Sequence, residues 1–133
     1  MKEWSEVLIH VRRGEEFLVT HRAPDGGGYW HVIAGGVEPD EEWHAAAVRE
    51  LQEETSLAVE QLEPIGEFAY VRESWEEEPG LRVHVHAFLV DVEPGWEPSL
   101  DHEHDDYRWL PRDEAAELLF WPEPAQLLRA LQP

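Results

Sequence analysis

Gly35-Gly36-Val37-Glu38-Pro39-Asp40-Glu41-Glu42-Trp43-His44-Ala45-Ala46-Ala47-Val48-Arg49-Glu50-Leu51-Gln52-Glu53-Glu54-Thr55-Ser56-Leu57 reads as a glycine turn that feeds an amphipathic helix. The helical pattern runs from Pro39 or Asp40 on to Thr55. Asp40 is the expected N-cap, Glu41 and Glu42 suit the positive end of the helix dipole, and Ala45, Ala46 and Ala47 are strong helix formers. At about 100° per residue, Glu50, Glu53 and Glu54 fall within roughly one quadrant. Ala47, Val48, Leu51 and Thr55 form the adjoining stripe, which would dock on a core. Gathering like charges costs a bare helix a few tenths of a kcal/mol per pair. Hard divalent cations with oxygen ligands offset that repulsion. Arg49, one turn before Glu53, can orient it by a charge-assisted hydrogen bond. The competing reading is a solvated acidic helix, which is common in a chain this acidic.

The glycine pair, the loop and the order Arg-Glu-Leu-Gln-Glu-Glu resemble the Nudix box, G-x5-E-x7-R-E-U-x-E-E-x-G-U, with U a bulky aliphatic. Gly35, Glu41, Arg49, Glu50, Leu51, Glu53, Glu54 and Leu57 match in register, eight of nine specified positions. Ser56 stands where the pattern has glycine. That position follows the helix, where left-handed backbone is usual, so serine should cost on the order of 1 kcal/mol there. The resemblance implies an α+β chain: a single-domain α/β/α sandwich around a mixed sheet, spanning residues 1–133. It also implies Mg²⁺ or Mn²⁺ held by Glu50, Glu53, Glu54 and the carbonyl of Ala34. Glu41 and Arg49 would brace the loop–helix–loop, and Gly35 and Gly36 would lie against substrate. Such metals neutralise phosphate oxygens and activate a water for attack on phosphorus. The implied activity is cleavage of a phosphoanhydride in a nucleoside-triphosphate-like substrate, to a monophosphate and pyrophosphate. Dinucleotide polyphosphates, ADP-ribose or similar diphosphates are the alternative substrates, and a non-catalytic ligand sensor is the alternative of another class. A Nudix isomerase would typically need cysteine chemistry, and the chain has no cysteine.

A second resemblance involves His102-Glu103-His104, Tyr107-Arg108-Trp109-Leu110, Glu114-Ala115 and Trp121-Pro122. These resemble the C-terminal portion of dihydroneopterin triphosphate and dATP pyrophosphohydrolases. The likeness implies that Glu103 is a fourth carboxylate near the metals; a solvated loop acid is the alternative.

Outward from the box, residues 6–12 (EVLIHVR) and 17–21 (FLVTH) read as a hairpin, and 23–28 (APDGGG) as a loop. A short strand follows at 30–33. Residues 65–72 and 82–92 are strands joined by an acidic turn at 76–80. In the second of these, Val83, Val85, Ala87 and Leu89 share one face, while His84, His86, Phe88 and Val90 share the other, so both faces can be covered. Residues 107–110 make a last strand, Pro111 opens a helix ending near Phe120, and Pro122 starts another carrying Leu127, Leu128 and Leu131.

Arg22 is a candidate phosphate contact. Trp30 and Tyr29 are candidates for stacking on a base, against core packing. Trp75, Trp96 and Trp121 either cover a cleft or seal the core. His84/His86 and His102/His104 have the spacing of zinc ligands on strands, although metal-free strand histidines are commoner.

The 133 residues suit one domain with a real core, since 42% are hydrophobic. Thirty acidic residues against ten basic ones give −20, a field that repels polyphosphate and nucleic acid alike. An anionic ligand therefore needs a divalent cation as mediator, and nucleic acid is not an expected partner. No apolar stretch is long enough to span a membrane, and the first residues lack a signal-peptide layout. The expectation is a cytoplasmic protein with a small-molecule substrate; a homodimer is left open.

Overall fold

The computed structural model describes residues 2–73 and 80–131. Of the acidic turn read at 76–80, residues 76–79 lie outside the described residues, as does Trp75. Among the described residues, seven strands and three α-helices follow in the order β1 (Lys2–Arg13), β2 (Glu16–Arg22), β3 (Trp30–His31), β4 (Ile33–Gly36), α1 (Trp43–Thr55), β5 (Glu63–Arg72), β6 (Leu81–Asp91), β7 (His104–Pro111), α2 (Arg112–Leu118) and α3 (Pro122–Ala130). The strands form one sheet with the path β3-β2-β1-β6-β5; β4 pairs with β1 and β7 with β2. β1 and β6 run parallel from Lys2↔Leu81 to Arg12↔Asp91, and the remaining pairs are antiparallel. The sheet is therefore mixed, as expected.

β1 is buried on both faces, and its alternation decides what each helix covers. Val7, Ile9 and Val11 face α1 and pack with Ala46, Ala47 and Leu51. Leu8 faces the other way, into a core shared by Val83, Val85, Ala87 and Leu89 of β6 with Ala115, Ala116, Ala125 and Leu128 of α2 and α3. Helices on both faces give the expected α/β/α sandwich. Burying a side chain such as Leu51 or Leu128, both fully covered, contributes about 1.5–3 kcal/mol. Among the described residues no helix is long and apolar enough to cross a membrane.

Several local expectations are corrected. The hairpin of β1 with β2 pairs only at Arg12↔Phe17 and Arg13↔Glu16, because farther along the same edge β1 pairs with β4. The strand expected at 30–33 is two strands, and the second extends through Ala34, Gly35 and Gly36. Asp40 is not the N-cap. It has φ 64, while Glu42 takes the cap position and the helix starts at Trp43. Tertiary contacts described below hold residues 36–42 as a loop. Ser56 does adopt the left-handed conformation, at φ 67, with its N–H donating to Gln52.

Candidate active site

The carboxyl end of β4 and the inner side of α1 meet at Gly35. A Cβ there would overlap the carboxylate of Glu50, so only glycine admits that acid against the strand. Arg49 secures the approach. Its Nε and Nη2 donate to the two oxygens of Glu41 at 2.9 and 2.8 Å, and Nη2 also donates to the Gly36 carbonyl at 2.9 Å. Glu41 in turn accepts the Glu38 N–H at 2.9 Å. The Arg49 guanidinium holds the Glu41 carboxyl down to about 2. Arg49 and Glu41 thus share one hydrogen-bonded set with the Gly36 carbonyl and the Glu38 N–H.

The three box glutamates diverge more than helical spacing suggests. Glu50 and Glu54 point inward, with side chains 13% and 1% exposed, whereas Glu53 is 56% exposed. Glu50 and Glu53 each accept from Arg49 Nη1, at 2.9 and 3.3 Å. Both oxygens of Glu54 are buried without a hydrogen-bond partner. Burial first, then close approach of the Glu50 carboxyl, then the charges of Glu50, Asp101 and Glu103, push the Glu54 carboxyl up to about 10. Among the described residues no three acids or histidines converge as a ready-made cage.

A cleft of about 760 Å³ opens on the α3 side of the sheet and reaches Glu50 at one end. Ala34, Gly35, Gly36, Arg22 and Glu103 line it, which brings together much of the expected set. Arg22 has room because Gly26 carries no side chain: a Cβ there would press on the guanidinium at 3.3 Å. Glu103 is exposed at the edge, its backbone carbonyl accepting the Ala23 N–H at 2.9 Å.

Trp30 is a correction. Tyr29 and His31 line the cleft and Trp30 does not: it packs against the core, onto His21 and beneath the Arg108 guanidinium, 4.7 Å from the ring centroid. Trp121 lines the cleft and meets Tyr29 edge-on at 6.0 Å, while Trp96 packs on Trp109. The histidine pairs do not assemble a zinc site. His84 bonds to Glu3, His86 stacks on Trp43 at 3.5 Å, and His104 is buried against Asp101 and Glu54.

Residues that sequence reasoning missed come mainly from opposing strands. Glu6, opposite Gly36 in the β1–β4 register, lines the cleft and accepts the Tyr70 hydroxyl at 3.1 Å. Burial raises the Glu6 carboxyl, the more so because an acid here sits in a partly covered wall. Arg72 adds a second cation to the same wall. The one available signal was alternation in β1, which puts Glu6, Leu8 and His10 on a single face.

The chain is 35% identical over 133 residues to the CTP pyrophosphohydrolase of Escherichia coli K12, covering 98% of this chain and 92% of that protein. It is 35% identical over 118 residues to a Myxococcus xanthus protein named octanoyltransferase; there 85% of this chain spans only 32% of the relative. The solved E. coli dihydroneopterin triphosphate pyrophosphohydrolase superposes with a TM-score of 0.78 at 26% identity, over 94% of this chain and 92% of that one. The pyrophosphohydrolase relatives support a hydrolase acting on pyrophosphate bonds. A family model described as the NUDIX domain matches residues 4–131, and the chain belongs to the Nudix family.

Proposed function

We propose that this protein hydrolyses a nucleoside-triphosphate-like substrate to a monophosphate and pyrophosphate with Mg²⁺ or Mn²⁺, and that the cleft ending at Glu50 is its active site. The observation that carries the reading is Glu54: a fully buried acid, with neither oxygen satisfied, packed behind Glu50. A buried acid with no hydrogen-bond partner is costly in a protein interior, and a divalent cation with oxygen ligands relieves that cost. The close approach of the Glu50 carboxylate to the bare backbone of Gly35 fits the same need. Glu50, Glu53, Glu54 and the Ala34 carbonyl would hold the ion, which requires Glu53 to turn inward from its contact with Arg49. When bound, the cation supplies neutralisation of the phosphate oxygens and acidification of water.

The chain's own groups do the rest. Arg22 binds a phosphate through its guanidinium, one of the few cations in a strongly acidic protein. Arg49 and Glu41 hold the loop that presents Gly36. Glu103 accepts the proton of the attacking water on a carboxylate oxygen. Tyr29 and Trp121 supply an aromatic wall for the base. The likeness to a CTP pyrophosphohydrolase along nearly the whole chain favours a nucleoside triphosphate over a dinucleotide substrate.

The test is a panel of nucleoside triphosphates, dinucleoside polyphosphates and ADP-ribose, assayed with Mg²⁺, Mn²⁺ or excess EDTA, with products resolved by chromatography. Expected is metal-dependent release of pyrophosphate from a triphosphate, with Glu53→Gln and Glu54→Gln each lowering kcat by at least ~100-fold. Full turnover in EDTA, or wild-type rates in both variants, overturns the proposal.

A further inference from the structure

We infer that His104, held by Asp101, is a positioning residue that fixes the carboxylate of Glu54 and ties the loop of Glu103 to it. This rests on the active-site reading above and goes beyond it in assigning the second layer of the site. His102 and His104 have zinc-like spacing, but at the start of β7 the two side chains part: His102 is exposed and His104 is buried. The imidazole of His104 is wholly covered.

Each polar atom of that ring faces an acid. Nδ1 lies 2.9 Å from Asp101 Oδ1, and the same oxygen accepts the Glu103 N–H at 3.3 Å. Nε2 lies 3.6 Å from Glu54 Oε1, just beyond hydrogen-bond length, and has no other partner. His104 is also the one basic side chain within ion-pair reach of Glu54 among the described residues, because Arg49 is spent on Glu41, Glu50 and Glu53.

A histidine serving only to fill the core would not need its second nitrogen aimed at a buried acid. Three unpartnered polar atoms, Nε2 and both Glu54 oxygens, face one another in a region where such atoms normally find partners. A proton shared between Nε2 and Glu54 Oε1 satisfies two of them and leaves Oε2 free. Asp101 sets the ring's orientation through Nδ1 and, through the Glu103 N–H, places the loop acid in the same frame. The device thereby couples a glutamate of α1 to one lying some fifty residues later in the chain.

The experiment compares His104→Asn, His104→Gln and Asp101→Asn in the full chain. Asn keeps a polar group near the position of Nδ1 and deletes Nε2; Gln reaches toward Glu54. Mn²⁺ binding is read from the electron paramagnetic resonance signal of free Mn²⁺, alongside kcat and KM for CTP and the melting temperature. Expected for His104→Asn are ~10-fold weaker Mn²⁺ binding and a ~10-fold lower kcat, the usual scale for a group that orients a metal ligand, with the KM for CTP unchanged. His104→Gln should recover part of both, and Asp101→Asn should resemble His104→Asn. Wild-type Mn²⁺ binding and kcat in His104→Asn overturn the inference alone. Equal losses in the Asn and Gln variants, tracking a fall in melting temperature, also overturn it, since the ring would then be core filling. A wild type that binds no Mn²⁺ overturns the active-site reading itself, and this inference with it.

Discussion

The carboxylate of Glu50 occupies the volume that a side chain at Gly35 would take, so strand β4 and helix α1 touch through an acid and a bare backbone. Gly35→Ala must displace Glu50 or move the strand. It is expected to lower kcat by ~100-fold, the scale of a lost acid–base or metal role. At Gly36 a Cβ would meet only the edge of the Trp4 ring, at 3.2 Å, and Gly36→Ala should cost less than ~10-fold. Steady-state kinetics on both variants check this, and equal losses would contradict it.

Ser56→Gly should leave the protein unchanged or stabilise it by up to ~1 kcal/mol, because φ 67 strains a residue with a Cβ. The side-chain hydrogen bonds at this helix end come from Thr55, whose hydroxyl donates to the Leu51 carbonyl and accepts the Leu57 N–H. A denaturant melt showing clear destabilisation would contradict this account.

Glu103→Gln is expected to reduce kcat by ~10-fold or more at saturating metal, with an unchanged melting temperature. Glu97, although another loop acid, is a poor control. It accepts from Arg13, from the Tyr107 hydroxyl and from the Trp109 indole, so Glu97→Gln should lower the melting temperature and spare kcat. Exposed Glu93 is the neutral comparison. Equal kcat in the Glu103 and Glu93 variants would remove Glu103 from the mechanism.

His10 is buried under α3, its Nε2–H donating to the Pro124 carbonyl at 3.1 Å, and desolvation lowers its pKa to about 4 from 6.5. The unfolded chain therefore binds a proton that the native state refuses between those two values. The stability His10 contributes is present above about 6.5 and is lost as pH falls toward about 4. His10→Gln keeps a donor for Pro124 without titrating. The drop in melting temperature from pH 7.5 to 5 should shrink in that variant relative to wild type.

Parts of this molecule could be read locally and parts could not. The glycine pair, α1 and the left-handed Ser56 depend on spacing within a few turns, so the chain displays them openly. The start of α1 was misplaced because residues 36–42 obey Arg49, whose bonds to Glu41 and the Gly36 carbonyl compete with helical hydrogen bonding. Alternation in β1 and β6 reveals which residues share a face, but not which strand lies alongside. Hence Phe17–His21 looks like the main partner of β1, a place taken by β6. The same limit hid Glu6 and Tyr70, which meet across 64 residues. Of the two aromatics read as stacking on a base or packing in the core, Trp30 packs against the core and Tyr29 lines the cleft, a division that spacing alone does not settle.

The parallel pairing of β1 with β6 has a kinetic consequence. Its first rung joins Lys2 to Leu81, so the middle of the sheet cannot close until the chain has been made through Asp91. Closing so long a loop carries an entropic cost before any contact repays it, and such topologies fold slowly. While the ribosome is still making β5, β1 waits with an open edge, and α1 has only part of the surface on which it docks. The buried setting of Glu54 beside His104 is thus completed late, and a nascent chain halted before Leu81 would present an unpaired apolar strand prone to aggregation.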